Sequence, residues 1–115
     1  MNAPRLTLTR GDASSAGPEV LTLIGPLVMA TTATFQEWLR SETAGSVILD
    51  FNEVPFIDSA GLGAMISIFL HYKRNSRKLA LVGVNEKCHA LFRMTNVESL
   101  FPNFATVDDA RKSFG

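Results

Sequence analysis

The sequence is poor in the features that mark secreted, membrane-spanning and nucleic-acid-binding chains. It has a single cysteine, Cys88, which excludes an internal disulfide and any metal site built from several cysteines. Lys and Arg total 11 and Asp and Glu total 11, so there is no broad positive field for non-specific nucleic-acid binding. The longest apolar stretch, residues 62–70, is far too short to span a bilayer. The N-terminus lacks the apolar core of a signal peptide, and the cytoplasm is the expected compartment.

Length and composition predict one globular domain spanning residues 1–115. A chain of 115 residues has the usual size of a single domain and leaves no room for a separate catalytic lobe. A domain of this size buries roughly two-thirds of its unfolded surface, so it can fold without disulfides or metals. Hydrophobic residues make up 46% and charged residues 19%, which is typical of a globular chain rather than a disordered one.

Hydrophobic periodicity predicts strands that alternate with helices. Alternating or continuous apolar runs predict strands at residues 6–9, 19–24, 46–51 and 78–82. Helical patterns predict a helix at residues 31–43, a long one that follows Asp58 and Ser59 and runs to about Asn75, a third capped by Asn85 and a short fourth beginning near Thr106. Turn formers at residues 11–18 predict a loop within an antiparallel pair of strands. This order indicates an α/β fold with a mostly parallel sheet.

The sequence does not match two motifs that would indicate a catalytic or phosphate-binding site. A nucleophile elbow requires Gly-x-Ser-x-Gly, but residues 57–61 read Ile-Asp-Ser-Ala-Gly and lack the first glycine. The only histidines, His71 and His89, have no obvious orienting acid. A phosphate-binding loop requires Lys-Ser or Lys-Thr after its glycines, and neither follows Gly61 and Gly63. The glycine pair therefore favours close helix packing or close approach by another protein.

Ordinary structural roles best explain the other polar candidates. Asp50 ends a buried strand, as in a phospho-aspartate receiver, but the first strand supplies no acids for Mg²⁺, so a hydrogen-bonding role is expected. Cys88 lies in the first turn of a helix, which favours a thiolate, yet no base or second cysteine accompanies it, so packing is expected. A solvated helix end, rather than a nucleic-acid site, is predicted for the basic residues His71, Lys73, Arg74, Arg77 and Lys78.

The segment at residues 54–65, Val-Pro-Phe-Ile-Asp-Ser-Ala-Gly-Leu-Gly-Ala-Met, is the most specific feature of the chain. Together with the apolar run at residues 47–51 it resembles the signature of STAS-domain anti-sigma factor antagonists, in which Asp-Ser-(Ser/Thr/Ala)-Gly-Leu-Gly opens a helix after a buried strand. The resemblance extends to residues 83–85 and 91–101. It implies a STAS-like α/β domain: a mixed, mostly parallel sheet of four to five strands with an N-terminal antiparallel pair, and about four helices.

The resemblance also implies a function and a site. Ser59 would be phosphorylated by a partner kinase, which is typically the anti-sigma factor itself. The unphosphorylated form would bind that partner and free the sigma factor, phosphorylation would end the binding, and a serine phosphatase would reset the switch. The implied partner-binding residues are Asp58, Ser59, Ala60, Gly61, Leu62 and Gly63. The protein would then be a substrate and a binding module, without catalysis, a cofactor, or a nucleic-acid or membrane partner.

Other interpretations stay open at the level of sequence. Without the resemblance, Ser59 is expected to be the N-cap of its helix. The same fold could serve as an unphosphorylated scaffold in a signalling or transport complex, or could bind a small molecule or nucleotide at its strand ends. Homo-oligomerisation is also left open. Many family members carry an acidic residue after the glycine that ends the second strand, whereas residues 25–29 read Gly-Pro-Leu-Val-Met, and one interpretation is an additional hydrophobic contact with the partner.

Overall fold

Five strands form one mixed sheet in the computed structural model, which describes residues 3–11 and 17–114. The strands are β1 (Thr7–Arg10), β2 (Glu19–Ile24), β3 (Ser46–Glu53), β4 (Lys78–Val82) and β5 (Asn103–Phe104). Their order across the sheet is β1-β2-β3-β4-β5. The pair β1 and β2 is antiparallel, and the other neighbours are parallel. Parallel neighbours need crossover connections, and helices supply most of them.

The described ranges contain four helices, which cover the two faces of the sheet unequally: α1 (Thr32–Ser41), α2 (Ser59–Arg74), α3 (Glu86–Met94) and α4 (Val107–Ser113). Successive residues of a strand point to opposite faces. Val47 and Leu49 of β3 therefore enter the larger core with α1, α2 and α3, whereas Ile48 packs in the smaller core with α4. All three side chains are fully buried. Coverage of both faces explains why β3 reads as a continuous apolar run.

The fold class predicted from the sequence is confirmed. The described residues form an α/β domain with an antiparallel N-terminal pair, an otherwise parallel sheet and four helices. The strands predicted at residues 19–24 and 78–82 have the predicted bounds, while β3 continues to Glu53. Helix α1 ends at Ser41 rather than at residue 43, because Glu42 has an extended backbone. Residues 12–16 of the predicted loop lie outside the described residues.

A buried carboxylate closes the turn between α1 and β3. Glu42 is only 5% exposed, and its Oε2 accepts hydrogen bonds from the backbone N–H groups of Thr43 and Ala44, both at 2.9 Å. Its Oε1 pairs with the guanidinium of Arg10 on β1. Burial by itself would raise the pKa of Glu42, but the hydrogen bonds from Ala44, Arg10 and Thr43 outweigh burial and lower that pKa. Sequence patterns do not indicate this ion pair, because only the folded sheet brings Arg10 to Glu42.

The prediction of a solvated basic helix end is wrong for Arg77. Its Nε donates to the Ala44 carbonyl at 3.0 Å, and its Nη2 donates to the carbonyls of Glu42 at 2.7 Å and Ala44 at 2.8 Å. The guanidinium also lies over the ring of Tyr72, 4.0 Å from the centroid. The neighbouring Arg74 is exposed, as predicted. Arg77 thus fastens the turn after α2 to the turn after α1, and its acceptors are distant in sequence.

Arg77→Ala is expected to lower the free energy of unfolding by about 2 kcal/mol, because it removes charge-assisted hydrogen bonds and the contact with Tyr72. Arg74→Ala is the matched control, and it is expected to change that free energy by less than about 0.5 kcal/mol. Urea unfolding followed by circular dichroism measures both. Equal effects of the two substitutions would contradict the role assigned to Arg77.

Candidate functional site

The site predicted around Ser59 lies where two connections of the fold run side by side. The β2 loop (residues 25–31) follows β2, and the α2 entry (residues 54–58) joins β3 to α2. The Leu27 N–H donates to the Phe56 carbonyl at 3.1 Å, and the Asp58 N–H donates to the Leu27 carbonyl at 3.2 Å. Leu27 and Ile57 thereby form a parallel bridge, and both are buried. This bridge continues the pairing of β2 and β3 beyond the strands and fixes the start of α2.

Asp58 is the N-cap of α2 and also joins the β2 loop to that helix. Its Oδ1 accepts a hydrogen bond from the Gly61 N–H at 2.8 Å, and its Oδ2 accepts one from the Met29 N–H at 3.1 Å. The carboxylate therefore satisfies one free N–H of the first helical turn and one of the neighbouring loop. The Gly61 N–H is the main cause that lowers the pKa of Asp58, partial burial opposes it, and the Met29 N–H adds to the lowering. Asp58 is a charged structural anchor.

Ser59 is the first residue of α2, and it is exposed. The expectation that Ser59 caps the helix is wrong, because Asp58 is the N-cap. Since another side chain fills the capping role, the Ser59 hydroxyl is available at the surface. It stands next to the first turn of a helix, where free N–H groups and the helix dipole favour negative charge.

The two glycines of the motif have different roles. A Cβ on Gly61 would lie 2.0 Å from the Leu27 carbonyl oxygen, so the backbone of the β2 loop packs directly on this position. A Cβ on Gly63 would meet none of the described atoms within 4 Å, and Gly63 is exposed. Glycine within a helix is destabilising by roughly 0.5–1 kcal/mol relative to alanine. The fold needs glycine at position 61, whereas Gly63 suits a close approach by another molecule.

Apolar side chains are exposed on both segments that carry the site. Met29 of the β2 loop is 74% exposed, and Phe56 of the α2 entry is 42% exposed. Leu27 and Val28 are buried, so Met29 is the large side chain of residues 25–29 that can make the hydrophobic contact anticipated from the sequence. Sequence reasoning did not single out Phe56. No local signal distinguishes it from the buried Ile57, because the bridge decides which of the two faces outward.

The residues expected to bind a partner differ in accessibility. Their places in the structure are as follows: Ser59 and Gly63 are exposed, Asp58 and Ala60 are half-buried, and Gly61 and Leu62 are buried. A partner can therefore touch Ser59 and Gly63 most readily. Gly61 and Leu62 are buried, so they affect the accessible surface only by fixing the position of α2.

The other candidates have structural roles. Asp50 accepts hydrogen bonds from the backbone N–H of Asn52 at 2.9 Å and from its Nδ2 at 2.7 Å, as expected. Cys88 is buried, and burial raises the pKa of its thiol despite the opposing charge of Lys87, which disfavours a reactive thiolate.

The described residues contain no group of three or more His, Cys, Asp or Glu that could hold a metal ion. In the same ranges, none of the helices is both long and apolar enough to cross a membrane.

A family model of the STAS domain matches residues 13–110. The chain belongs to the STAS domain family, and the resemblance noted in the sequence is confirmed at that level.

Solved structures share this fold. An anti-sigma factor antagonist from Mycobacterium paratuberculosis is 20% identical, with a TM-score of 0.79 over 98% of this chain and 97% of that chain. SpoIIAA, a Bacillus cell fate determinant, in its phosphorylated form is 14% identical, with a TM-score of 0.69 over 95% and 100%. A sulfate transporter family protein from Wolinella succinogenes is 22% identical, with a TM-score of 0.74 over 89% and 88%. These likenesses establish the fold.

Gly61→Ala is expected to lower the free energy of unfolding by about 2 kcal/mol, because the added methyl group would displace the Leu27 carbonyl. Gly63→Ala is expected to raise it by about 0.5–1 kcal/mol, because the site is open and alanine favours the helix. Thermal and urea unfolding of both variants measure the contrast. If both substitutions destabilise the fold equally, the distinction between the two glycines fails.

Asp58→Asn is expected to flatten the dependence of stability on pH. The pKa of Asp58 in the folded state lies below its unfolded value of about 3.9, so its stabilisation is complete above that value and is lost as the pH falls through the folded-state pKa. The wild type should therefore lose more stability than the variant as the pH falls below about 4. Urea unfolding between about pH 7 and about pH 3 tests this. Parallel stability curves for the two proteins would contradict it.

Proposed function

We propose that this protein is an anti-sigma factor antagonist whose binding to an anti-sigma factor is ended by phosphorylation of Ser59. The observation that carries the proposal is the exposed hydroxyl at the start of α2, which Asp58 leaves free of any capping role. Membership of the STAS family supports it, as does the fold shared with the mycobacterial antagonist and with phosphorylated SpoIIAA. The partner is an anti-sigma factor with serine kinase activity, and a serine phosphatase reverses the modification. The protein itself acts in the cytoplasm and catalyses no reaction.

The binding surface in this proposal combines the motif with its apolar surroundings. Met29 and Phe56 provide exposed apolar anchors, which are typical of the centre of a protein interface. Gly63 allows the backbone of a partner to come close to α2. Asp58 and Ala60 form the edge of the contact around Ser59. Gly61 and Leu62 position the helix from below.

The fold tolerates a phosphate on Ser59. The modification adds roughly −1.5 to −2 charges at neutral pH. The free N–H groups and the positive end of the α2 dipole favour this charge by about 0.3–1 kcal/mol. The neighbouring Asp58 opposes it by a similarly small amount in water. The two terms nearly cancel, so phosphorylation is expected to leave the domain folded.

A protein interface does not tolerate the same charge. Placing a phosphate against like charge, or removing its water without a compensating cation, costs several kcal/mol. A loss of about 4 kcal/mol corresponds to about a thousandfold in affinity. The switch therefore acts by excluding the partner and does not require refolding of the domain.

Ser59→Glu is expected to weaken binding to the cognate anti-sigma factor by at least about a hundredfold, because it places a negative charge in the interface. Ser59→Ala should stay within about threefold of the wild type, since the hydroxyl is not a cap. Titration calorimetry measures these affinities. The cognate kinase with ATP should phosphorylate the wild type but not Ser59→Ala.

Ser67→Glu is a matched control on the same helix. The Ser67 hydroxyl already accepts a hydrogen bond from the Arg40 guanidinium at 3.3 Å, so a negative charge is accommodated there. Its affinity for the anti-sigma factor should remain within about threefold of the wild type. Equal affinities for the wild type and Ser59→Glu would overturn the proposed switch.

A second candidate function is that of an unphosphorylated scaffold in a signalling or transport complex. The likeness to the sulfate transporter family protein favours it. The same variants separate the two functions, because a scaffold keeps its partner when Ser59 is replaced by Glu. Mass spectrometry of the protein from cells would then find no phosphate on Ser59. A nucleotide-binding role would instead give saturable heats in calorimetry against a panel of nucleotides.

A further inference from the structure

An open groove of about 450 Å³ lies at the edge of the sheet where β5 begins. One wall comes from the end of α2 and the start of β4, and the other comes from residues 99–104 and the end of α4. Ser59 and the α2 entry are not among the described residues that line it. We call this feature the edge groove. It is distinct from the surface assigned to the anti-sigma factor.

The edge groove exists because β5 is too short to cover its neighbour. It pairs only with Leu81 and Val82, so in the described part of the chain residues 78–80 have no strand beside them on this side. The Leu81 N–H donates to the Pro102 carbonyl at 2.8 Å. The backbone N–H groups of alternate strand residues point the same way, so the Leu79 N–H also faces this side. Pro102 has no N–H to extend the ladder.

The lining of the edge groove is mainly apolar and aromatic. Its apolar members come from α2, β4, the segment just before β5, β5 itself and the end of α4: Phe69, Tyr72, Leu79, Leu100, Phe104 and Phe114. Phe69, Tyr72 and Leu79 are buried at its base, and the other three are half-buried on the opposite wall. The binding free energy of a ligand in the groove would therefore come mainly from the removal of apolar surface from water.

The charged side chains among the described residues that line the edge groove are all cationic. Its lining includes Lys73, Arg77 and Lys78, and none of the described residues that line it is acidic. The Arg77 guanidinium already donates hydrogen bonds to the backbone carbonyls of Glu42 and Ala44. Lys73 and Lys78 are exposed. Lys78 Nζ donates one hydrogen bond, to the Phe114 carbonyl oxygen at 3.3 Å. In a chain with no net charge, this groove is a locally cationic and apolar site.

We propose that the edge groove binds a monomeric aliphatic carboxylate of medium chain length. The carboxylate lies between Lys73 and Lys78, within reach of the Leu79 N–H, and the chain lies along the apolar lining. The volume falls within the range of about 300–1,000 Å³ that small-molecule sites occupy. The charge on one wall and the apolar character of the other select an anion with a hydrocarbon tail over a cation or a fully polar anion. This proposal does not rest on the proposed function.

The first test is a titration of the full chain with sodium octanoate, decanoate and dodecanoate, kept at concentrations where they are monomeric. Two-dimensional NMR should show saturable shifts at Leu79, Leu100 and Phe104. Each added methylene group that stays in the groove should raise the affinity roughly three- to fourfold. Decyltrimethylammonium, with a similar tail and the opposite charge, should bind at least about tenfold more weakly than decanoate.

The second test uses two neighbouring residues that carry the same charge. Lys73→Glu should weaken decanoate binding at least about tenfold, whereas Arg74→Glu should change it by less than about threefold, because only Lys73 lines the groove. Thermal unfolding verifies that both variants fold. Ser99→Trp, which fills the exposed rim of the groove, should abolish binding independently of charge.

Three results would overturn the proposal. The first is equal affinity for decanoate and decyltrimethylammonium, and the second is an equal effect of Lys73→Glu and Arg74→Glu. The third is failure to bind monomeric decanoate, and binding of phosphatidylglycerol vesicles or of an acidic peptide in its place would reassign the groove to a membrane or a protein. Since Ser59 plays no part in these measurements, their failure is distinguishable from failure of the proposed function.

Discussion

The Asp58 carboxylate joins the start of α2 to the loop that follows β2, and the surface around Ser59 depends on that connection. One oxygen holds the Gly61 N–H and the other holds the Met29 N–H. The Leu27 carbonyl lies against Gly61 in the same small region and accepts the N–H of Asp58. Each of these contacts alone contributes little to the free energy of unfolding. Together they fix two segments that are far apart in sequence, so an exposed side chain on either segment has a defined position relative to the other.

This arrangement separates the stability of the helix from the chemistry of the neighbouring hydroxyl. If Ser59 were itself the N-cap, its modification would remove a capping interaction that contributes about 1 kcal/mol. Asp58 carries that role instead, and its pKa is lowered by the hydrogen bonds it accepts. The hydroxyl can then be altered without loss of the cap. A binding partner is far more sensitive to added charge than the domain is, because an interface excludes water.

The two ends of helix α2 carry charges of opposite sign, although the chain has no net charge. Helix α2 has 16 residues and is therefore about 24 Å long, with Ser59 at its start and Lys73 in its last turn. One end presents a hydroxyl beside an anionic cap, and the other presents lysines beside an apolar groove. A ligand at one end need not obstruct a protein at the other. Arg77 takes part in neither surface as a free cation, because its donors bind backbone carbonyls.

The order of the four helices and of strands β1 to β4, the fold class, the cap at Asn85 and the place of the Asp-Ser-x-Gly-Leu-Gly motif were all readable from the sequence, because periodicity and capping depend on neighbouring residues. Strand β5 was not, because two residues are too few to show a periodic pattern. The tertiary structure alone decided which motif residue caps α2 and which glycine is indispensable. It also decided that Arg77 is structural, that Phe56 faces outward, and that a short β5 leaves a groove. These features depend on contacts between segments distant in the chain, and local patterns carry no information about such contacts.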